Sequence, residues 1–148
     1  MEALELEIDL DASVPEVWKA WTSEEGLRSF LAPACNIEIK PDGPYEIFFF
    51  PDNPPGKRGA DGQRVMAVEH EKMLSFTWNF PEDLPEIREQ RTIVILKFLP
   101  RGSGSKLKLI QAGWGDGPVW QEGRKYFEYA WGQVVFSRLK EALDKQPA

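Results

Sequence analysis

The chain has 148 residues, of which 42% are hydrophobic and 28% charged, as expected for one folded globular domain. Its net charge of -6 argues against a nucleic-acid or anionic-membrane surface, because such surfaces need a basic footprint. One cysteine and one histidine exclude an internal disulfide and a typical zinc site. The first residues lack a signal-peptide pattern, and no apolar run is long enough to span a membrane. We therefore expect a cytoplasmic protein.

The first predicted elements are a strand and two short helices. Residues 3–11 alternate between apolar and acidic side chains, which is typical of a half-buried strand. Ser13 precedes Glu16 at the spacing of a capping box, and Pro15 fits a first helical turn. Ser23 is expected to cap a second helix that ends near Phe30.

Six more strands are predicted in the middle of the chain. They occupy residues 36–39, 44–50, 63–69, 74–80, 91–98 and 106–114. Because several of these strands follow one another through hairpin turns, the sheet should be antiparallel. Residues 51–62 contain three prolines and three glycines, which predicts a long surface loop. Such a loop could carry function or be a tolerated insertion.

A long amphipathic helix is predicted over residues 119–143, where apolar side chains recur at helical spacing without a proline. At a rise of ~1.5 Å per residue it would span ~38 Å, enough to cross a whole sheet. We therefore expect an α+β fold in which a curved antiparallel sheet of about six or seven strands wraps around this helix. The wedge between helix and sheet would hold a cavity, and the two short helices would close one end.

Short segments spread along the chain carry a resemblance to a known family. They include VWKAWT at residues 17–22, EEG at 24–26, GPYEI at 43–47, LSFTW at 74–78 and GWG at 113–115. With these residues the chain resembles the START-like (SRPBCC) helix-grip superfamily. Within it, the chain is similar to bacterial single-domain homologues of the activator of the heat-shock-protein ATPase, the Aha-type family. The resemblance covers residues 3–143 and implies one helix-grip domain over residues 1–148, with no catalytic motif and no cofactor.

One position departs from the family pattern. Members often carry a histidine on the last strand, just before the Gly-Trp pair, where this chain has Gln111. Because a glutamine side chain does not titrate, Gln111 cannot transfer a proton at that position. The eukaryotic activator binds its chaperone with help from an additional domain, so the resemblance to this one domain implies little about chaperone work.

A cavity in this fold would be lined by aromatic and aliphatic side chains from several strands and the long helix. The expected lining residues are Trp21, Phe30, Phe48, Phe50, Met66, Phe76, Trp78, Ile93, Leu109, Gln111, Phe127 and Trp131. Gln111 or Arg64 would orient the ligand, and a buried Gln111 needs partners for its amide. A well-filled core without a cavity is the alternative interpretation of the same aromatic residues.

Five polar residues are weighed individually. His70 lies at a turn and is expected to be solvated, which disfavours acid–base work. Glu46 either faces water or points into the cavity as a carboxyl group with a raised pKa. Arg64 and Arg91 begin strands, where they are either solvated or able to orient an anionic group. Cys35 has no sequence neighbour that would lower its thiol pKa, so an idle thiol is expected.

Three functions remain open from the sequence. The first is binding or carrying a small apolar ligand in the cavity, by a monomer or a homodimer. The second is a cavity-based enzyme of the cyclase or hydrolase type, which depends on an inward Glu46. The third is a stress-related, co-chaperone-like protein-interaction domain, which requires an exposed apolar patch.

Overall fold

The computed structural model describes residues 1–145. The elements in chain order are β1 (Leu4–Leu10), α1 (Val14–Thr22), α2 (Glu24–Phe30), β2 (Ala34–Ile37), β3 (Tyr45–Phe48), β4 (Val65–Glu69), β5 (Met73–Trp78), β6 (Thr92–Arg101), β7 (Gly104–Ala112), α3 (Pro118–Tyr129), a π-helical segment (Ala130–Val135) and α4 (Phe136–Asp144). This order of strand, two short helices, six strands and a long helix confirms the predicted α+β class.

Five strands form the main antiparallel sheet in the order β1-β7-β6-β5-β4, and β2 pairs with β3 in a second sheet. A bridge between Pro44 and Arg64 joins the two sheets. Beside this bridge, the amide of Val65 donates a 2.8 Å hydrogen bond to the carbonyl of Gly43. The predicted curved sheet is therefore a five-stranded and a two-stranded sheet held edge to edge.

The two short helices begin where their capping residues predict. The backbone amide of Glu16 donates to Ser13 Oγ at 3.4 Å, and Ser13 Oγ donates to the Glu16 carboxylate at 3.0 Å. Ser23 caps α2 in the same way, accepting a 3.0 Å bond from the amide of Gly26. These bonds satisfy amide groups that have no partner inside the helix.

The long helix runs from Pro118 to Asp144 and confirms the predicted amphipathic helix over residues 119–143. Its middle is a six-residue π segment, which the sequence pattern did not predict. The apolar side chains of the helix lie against the inner face of the main sheet, where the core is almost completely shielded from solvent. The core side chains with no exposed surface include Leu74, Phe76, Val94, Leu96, Leu107, Leu109 and Leu139.

Met66 and Ile93 are exposed, and their predicted inward orientation is wrong. The pairing of β4 with β5 shifts register between Val65 and Ala67, so Met66 lies in a bulge and is 49% exposed. On β6, Thr92 and Val94 are buried, and the alternation of a strand therefore leaves Ile93 37% exposed. Among residues 1–145, no helix is both long and apolar enough to cross a membrane.

Candidate functional site

A pocket of about 540 Å³ lies between the long helix, the end of β5 and two loops. Buried aromatic side chains form its floor, namely Trp78, Phe80, Phe127 and Trp131. The loops that wall it are residues 49–59 and residues 79–88, and Leu31 contributes from the end of α2. A volume of this size is within the range of pockets that hold small organic ligands.

A chain of hydrogen bonds fixes two of the floor tryptophans. Trp131 Nε1 donates to the side-chain oxygen of Gln111 at 2.9 Å, and the Gln111 amide nitrogen donates to Thr92 Oγ1 at 2.9 Å. Thr92 Oγ1 in turn donates to the backbone carbonyl of Trp78 at 3.3 Å. Gln111 and Thr92 are both buried, so the chain holds the Trp131 indole ring and the backbone of Trp78 in place. The Trp78 ring packs against the Trp131 ring, with 5.4 Å between their centres.

The π-helical segment forms the middle of the helix wall of the pocket. Four of its six residues line the cavity, namely Ala130, Trp131, Val134 and Val135. Because a π turn holds more residues than an α turn, it presents adjacent positions such as Val134 and Val135 to the same space. Single π turns inside α-helices often coincide with functional sites, so this irregularity marks the pocket independently of its volume.

Exposed aromatic side chains surround the opening of the pocket. Phe50 and Tyr129 are 63% and 65% exposed, and Phe49 and Tyr126 are also exposed. Burial, and next the charge of Asp83, raises the pKa of Tyr126, so its phenol stays neutral around pH 7. The opening is therefore rich in exposed aromatic rings, with the neutral phenol of Tyr126 at its edge.

Charged side chains are distributed unevenly around this opening. Glu82 and Asp83 lie on the loop after β5, and Lys57 lies on the loop after β3. Arg138 lies on α4, at the far end of the helix wall. The guanidinium of Arg88 donates to the carbonyl of Phe80 and, at 3.0 Å, to that of Gly56. Arg88 therefore ties the two loops together and is already engaged by the protein.

The loop of residues 51–62 is folded around Asp61. The Asp61 carboxylate accepts bonds of 2.8–2.9 Å from the backbone amides of Gly56 and Arg58 and from Arg58 Nε. Burial by itself would raise the pKa of Asp61, but these bonds and the Arg58 charge outweigh it and hold the pKa below its usual value. The Arg58 guanidinium also lies 4.2 Å from the centre of the Phe48 ring. These contacts hold one wall of the pocket in place.

Four of the twelve predicted lining residues lie in this pocket, namely Phe50, Trp78, Phe127 and Trp131. Five others are buried in the core and contribute no surface to it, namely Trp21, Phe30, Phe76, Leu109 and Gln111. Phe48 packs under Arg58, while Met66 and Ile93 lie on the outer face of the sheet. The cavity was predicted between the helix and the sheet, but aromatic side chains fill that space. The pocket lies nearer the surface, between the helix and the loops.

Glu46 does not line the pocket. One of its carboxylate oxygens accepts a 2.9 Å bond from the Asn36 side chain, and the other accepts a 2.8 Å bond from the amide of Gly62. Glu46 thus anchors the end of the 51–62 loop to β3. The cavity-based enzyme therefore loses the carboxylate on which it depended.

The other polar candidates lie outside the pocket as well. The His70 side chain is 81% exposed, which confirms its predicted solvation. Arg64 donates to the carbonyl of Asp42 at 2.9 Å, and Arg91 donates to that of Gly62 at 3.3 Å. Burial, and next the charge of Glu24, raises the pKa of the Cys35 thiol against the opposing charge of Arg28, as an idle thiol requires. None of these groups can contact a molecule in the pocket.

Sequence reasoning missed the residues of the pocket's rim. Tyr126, Ala130, Val134 and Arg138 recur at intervals of four along the helix, a signal that could have placed them on one face. Phe49 and Tyr129 gave no such signal, because their position depends on how the 49–59 loop approaches the helix. The π segment also had no recognisable pattern in the sequence.

An antiparallel sheet packed against one long helix, with a pocket between helix and loops, defines a helix-grip protein of the START-like class. The profile of the family described as "Activator of Hsp90 ATPase homolog 1-like protein" matches residues 11–144. This chain belongs to that family. Among curated proteins, none gives a significant match.

Solved structures share this fold at low sequence identity. Protein MLL2253 from Mesorhizobium loti is 22% identical with a TM-score of 0.69, covering 99% of this chain and 100% of that one. CalU16 from Micromonospora echinospora is 16% identical with a TM-score of 0.73, covering 99% and 76%. The Aha1 dimer from Colwellia psychrerythraea is 14% identical with a TM-score of 0.63, covering 100% of both chains. At these identities the likeness concerns the fold alone.

Proposed function

We propose that this protein binds or carries a small apolar molecule in the pocket beside the π-helical segment. The observation that carries the proposal is the coincidence of this segment with the pocket's aromatic floor. Trp78 and Trp131 are buried and pack against each other, and Trp131 is also hydrogen-bonded to Gln111, so little side-chain entropy is lost when a ligand packs against them. The exposed rings of Phe50 and Tyr129 would cover the bound molecule.

The experiment is titration with N-phenyl-1-naphthylamine, a neutral apolar fluorophore, followed by its emission and by the melting temperature. We expect saturable binding with a raised melting temperature, because a ligand that binds only the folded state must stabilise it. The variant Val134→Phe places a larger side chain inside the pocket and should weaken binding. The matched control, Leu99→Phe on the exposed face of β6, should bind as the wild type does. Equal binding by both variants would contradict the proposal.

A second candidate function is protein docking at the aromatic opening. The exposure of Phe50 and Tyr129 favours it, because exposed aromatic residues are enriched in interfaces between proteins. The partner could be a second copy of the chain, and the relative from Colwellia psychrerythraea is described as a dimer. Light scattering after size exclusion tests this candidate. A dimer that dissociates in Phe50→Ser would support docking, whereas a monomer at high concentration would exclude self-association.

A further inference from the structure

Arg138 stands at the point where two cavities meet. It closes the α4 end of the ligand pocket and also lines a second cavity of about 420 Å³ between the end of α2 and α4. Leu31 is the other residue shared by the two. One face of the helix carries, at helical spacing, Trp131, then Val134 or Val135, and then Arg138. This face therefore changes from apolar to cationic over about two turns.

Among residues 1–145, the positive charge of Arg138 has no negatively charged partner. The other charged side chains of the same helix end pair with one another, Lys140 with Asp144 at 3.6 Å and Glu141 with Lys145 at 2.9 Å. Within residues 1–145 the Arg138 guanidinium forms neither an ion pair nor a hydrogen bond with a protein group. Its planar array of donors, suited to a bidentate carboxylate, is therefore available to a molecule in the pocket.

The opposite end of the pocket disfavours an anion. Glu82 and Asp83 lie there, beside the phenol of Tyr126. Tyr126 and Arg138 are twelve positions apart on the helix, which corresponds to roughly 18 Å. Arg88 already donates to two carbonyl groups, and Lys57 is a compact single-point charge on the loop, whereas the planar guanidinium of Arg138 can hold both oxygens of a carboxylate. An anionic group would therefore be attracted to the α4 end.

We propose that the ligand is an amphipathic carboxylic acid whose apolar body lies on Trp78 and Trp131 and whose carboxylate binds Arg138. This inference rests on the proposed function and adds the class of the ligand and its direction in the pocket. The apolar body occupies the space beside the π segment, against the buried aromatic floor. The carboxylate exchanges its hydration for a charge-assisted pair with the guanidinium at the solvent-facing end.

The test compares decanoate, 1-decanol and decylamine as competitors of N-phenyl-1-naphthylamine at neutral pH. We expect decanoate to bind the wild type at least tenfold more tightly than either decanol or decylamine, because only decanoate can pair with Arg138. Arg138→Gln should remove the preference for decanoate while leaving decanol unchanged. Lys140→Gln is the matched control, because it removes one positive charge from the same helix at a residue outside the pocket. Its preference should equal that of the wild type.

The outcomes separate this inference from the proposed function. Equal displacement by decanoate and decanol in the wild type would overturn the carboxylate inference and leave the apolar pocket intact. If Arg138→Gln binds neither decanoate nor decanol, Arg138 shapes the pocket instead of binding an anion. That result would also overturn the carboxylate inference. If neither the fluorophore nor any competitor binds, both proposals are overturned.

Discussion

Trp131 donates a 2.9 Å hydrogen bond from its indole nitrogen to the side-chain oxygen of Gln111, joining the π-helical segment to β7. Both residues are buried, with 2% and 0% of their surface exposed. The backbone carbonyl of Gln111 also accepts a 2.8 Å bond from the indole nitrogen of Trp114. One glutamine thus positions the helix wall of the pocket relative to the sheet.

Gln111→Met should destabilise the fold by about 1–3 kcal/mol, because it leaves the Trp131 indole and the Thr92 hydroxyl buried with one partner fewer. Chemical denaturation measures the change. The control is a double-mutant cycle with Trp131→Phe, which removes the donor as well. A coupling energy near zero between the two positions would contradict a direct role for this hydrogen bond.

Two glycines of the long helix should respond in opposite ways to the same substitution. A Cβ at Gly123 would lie 2.7 Å from Cε1 of Phe80, so Gly123→Ala should cost about 1–3 kcal/mol through overpacking. A Cβ at Gly132 would meet only Leu6, at 3.8 Å, so Gly132→Ala should be neutral or stabilising by up to about 1 kcal/mol. Thermal denaturation of the two variants compares them directly. Equal melting temperatures would contradict the close approach of α3 to Phe80.

Asp61 should make the stability of the fold depend on acid pH. Its folded-state pKa is held below the unfolded value of about 3.9, so the stabilisation is present above that pH. It is lost as the pH falls through the lower, folded-state pKa, where the carboxylate takes up a proton. Asp61→Asn should therefore lower the stability by about 1–2 kcal/mol at neutral pH and much less in acid.

Urea denaturation across the acid range measures this dependence. Asp52→Asn is the control, because Asp52 is an exposed carboxylate of the same loop. Asp52→Asn should show the same dependence of stability on pH as the wild type. A constant difference between Asp61→Asn and the wild type at every pH would show that the Asp61 charge is not what holds the loop.

Tyr45 should make the stability of the fold depend on alkaline pH. Its hydroxyl donates a 2.7 Å bond to the carbonyl of Trp21, and its ring stacks on Phe76. Burial, and next the charge of Cys35, raises its pKa well above the usual 10.0. The stabilisation is complete below the unfolded pKa of about 10 and is lost as the pH rises through the higher, folded-state value.

Tyr45→Phe should cost about 1 kcal/mol at neutral pH, through the lost hydrogen bond, and should make the alkaline loss of stability shallower. Denaturation at neutral and alkaline pH measures both effects. Tyr129→Phe serves as the control, because Tyr129 is 65% exposed and its substitution leaves the core unchanged. Parallel alkaline profiles for the wild type and Tyr45→Phe would contradict the prediction.

Most of the fold could be predicted because the signals are local. Alternation in β1, the capping serines Ser13 and Ser23, and the helical spacing after Pro118 each specify an element within a few residues. The candidate site could be predicted less well from the sequence. Phe50, Trp78, Phe127 and Trp131 were found because they are aromatic, whereas Met66 was misplaced because a bulge breaks the alternation of β4.

The sequence by itself determined the order of strands and helices, the antiparallel sheet and the burial of Gln111. These follow from periodicity and polarity, which act between neighbouring residues. The tertiary structure alone decided that aromatic rings fill the centre of the fold and that the pocket lies beside the π segment. It also decided that Arg138 ends the helix wall without a partner among residues 1–145. Such features depend on how distant segments pack, and no local pattern encodes the space that remains between them.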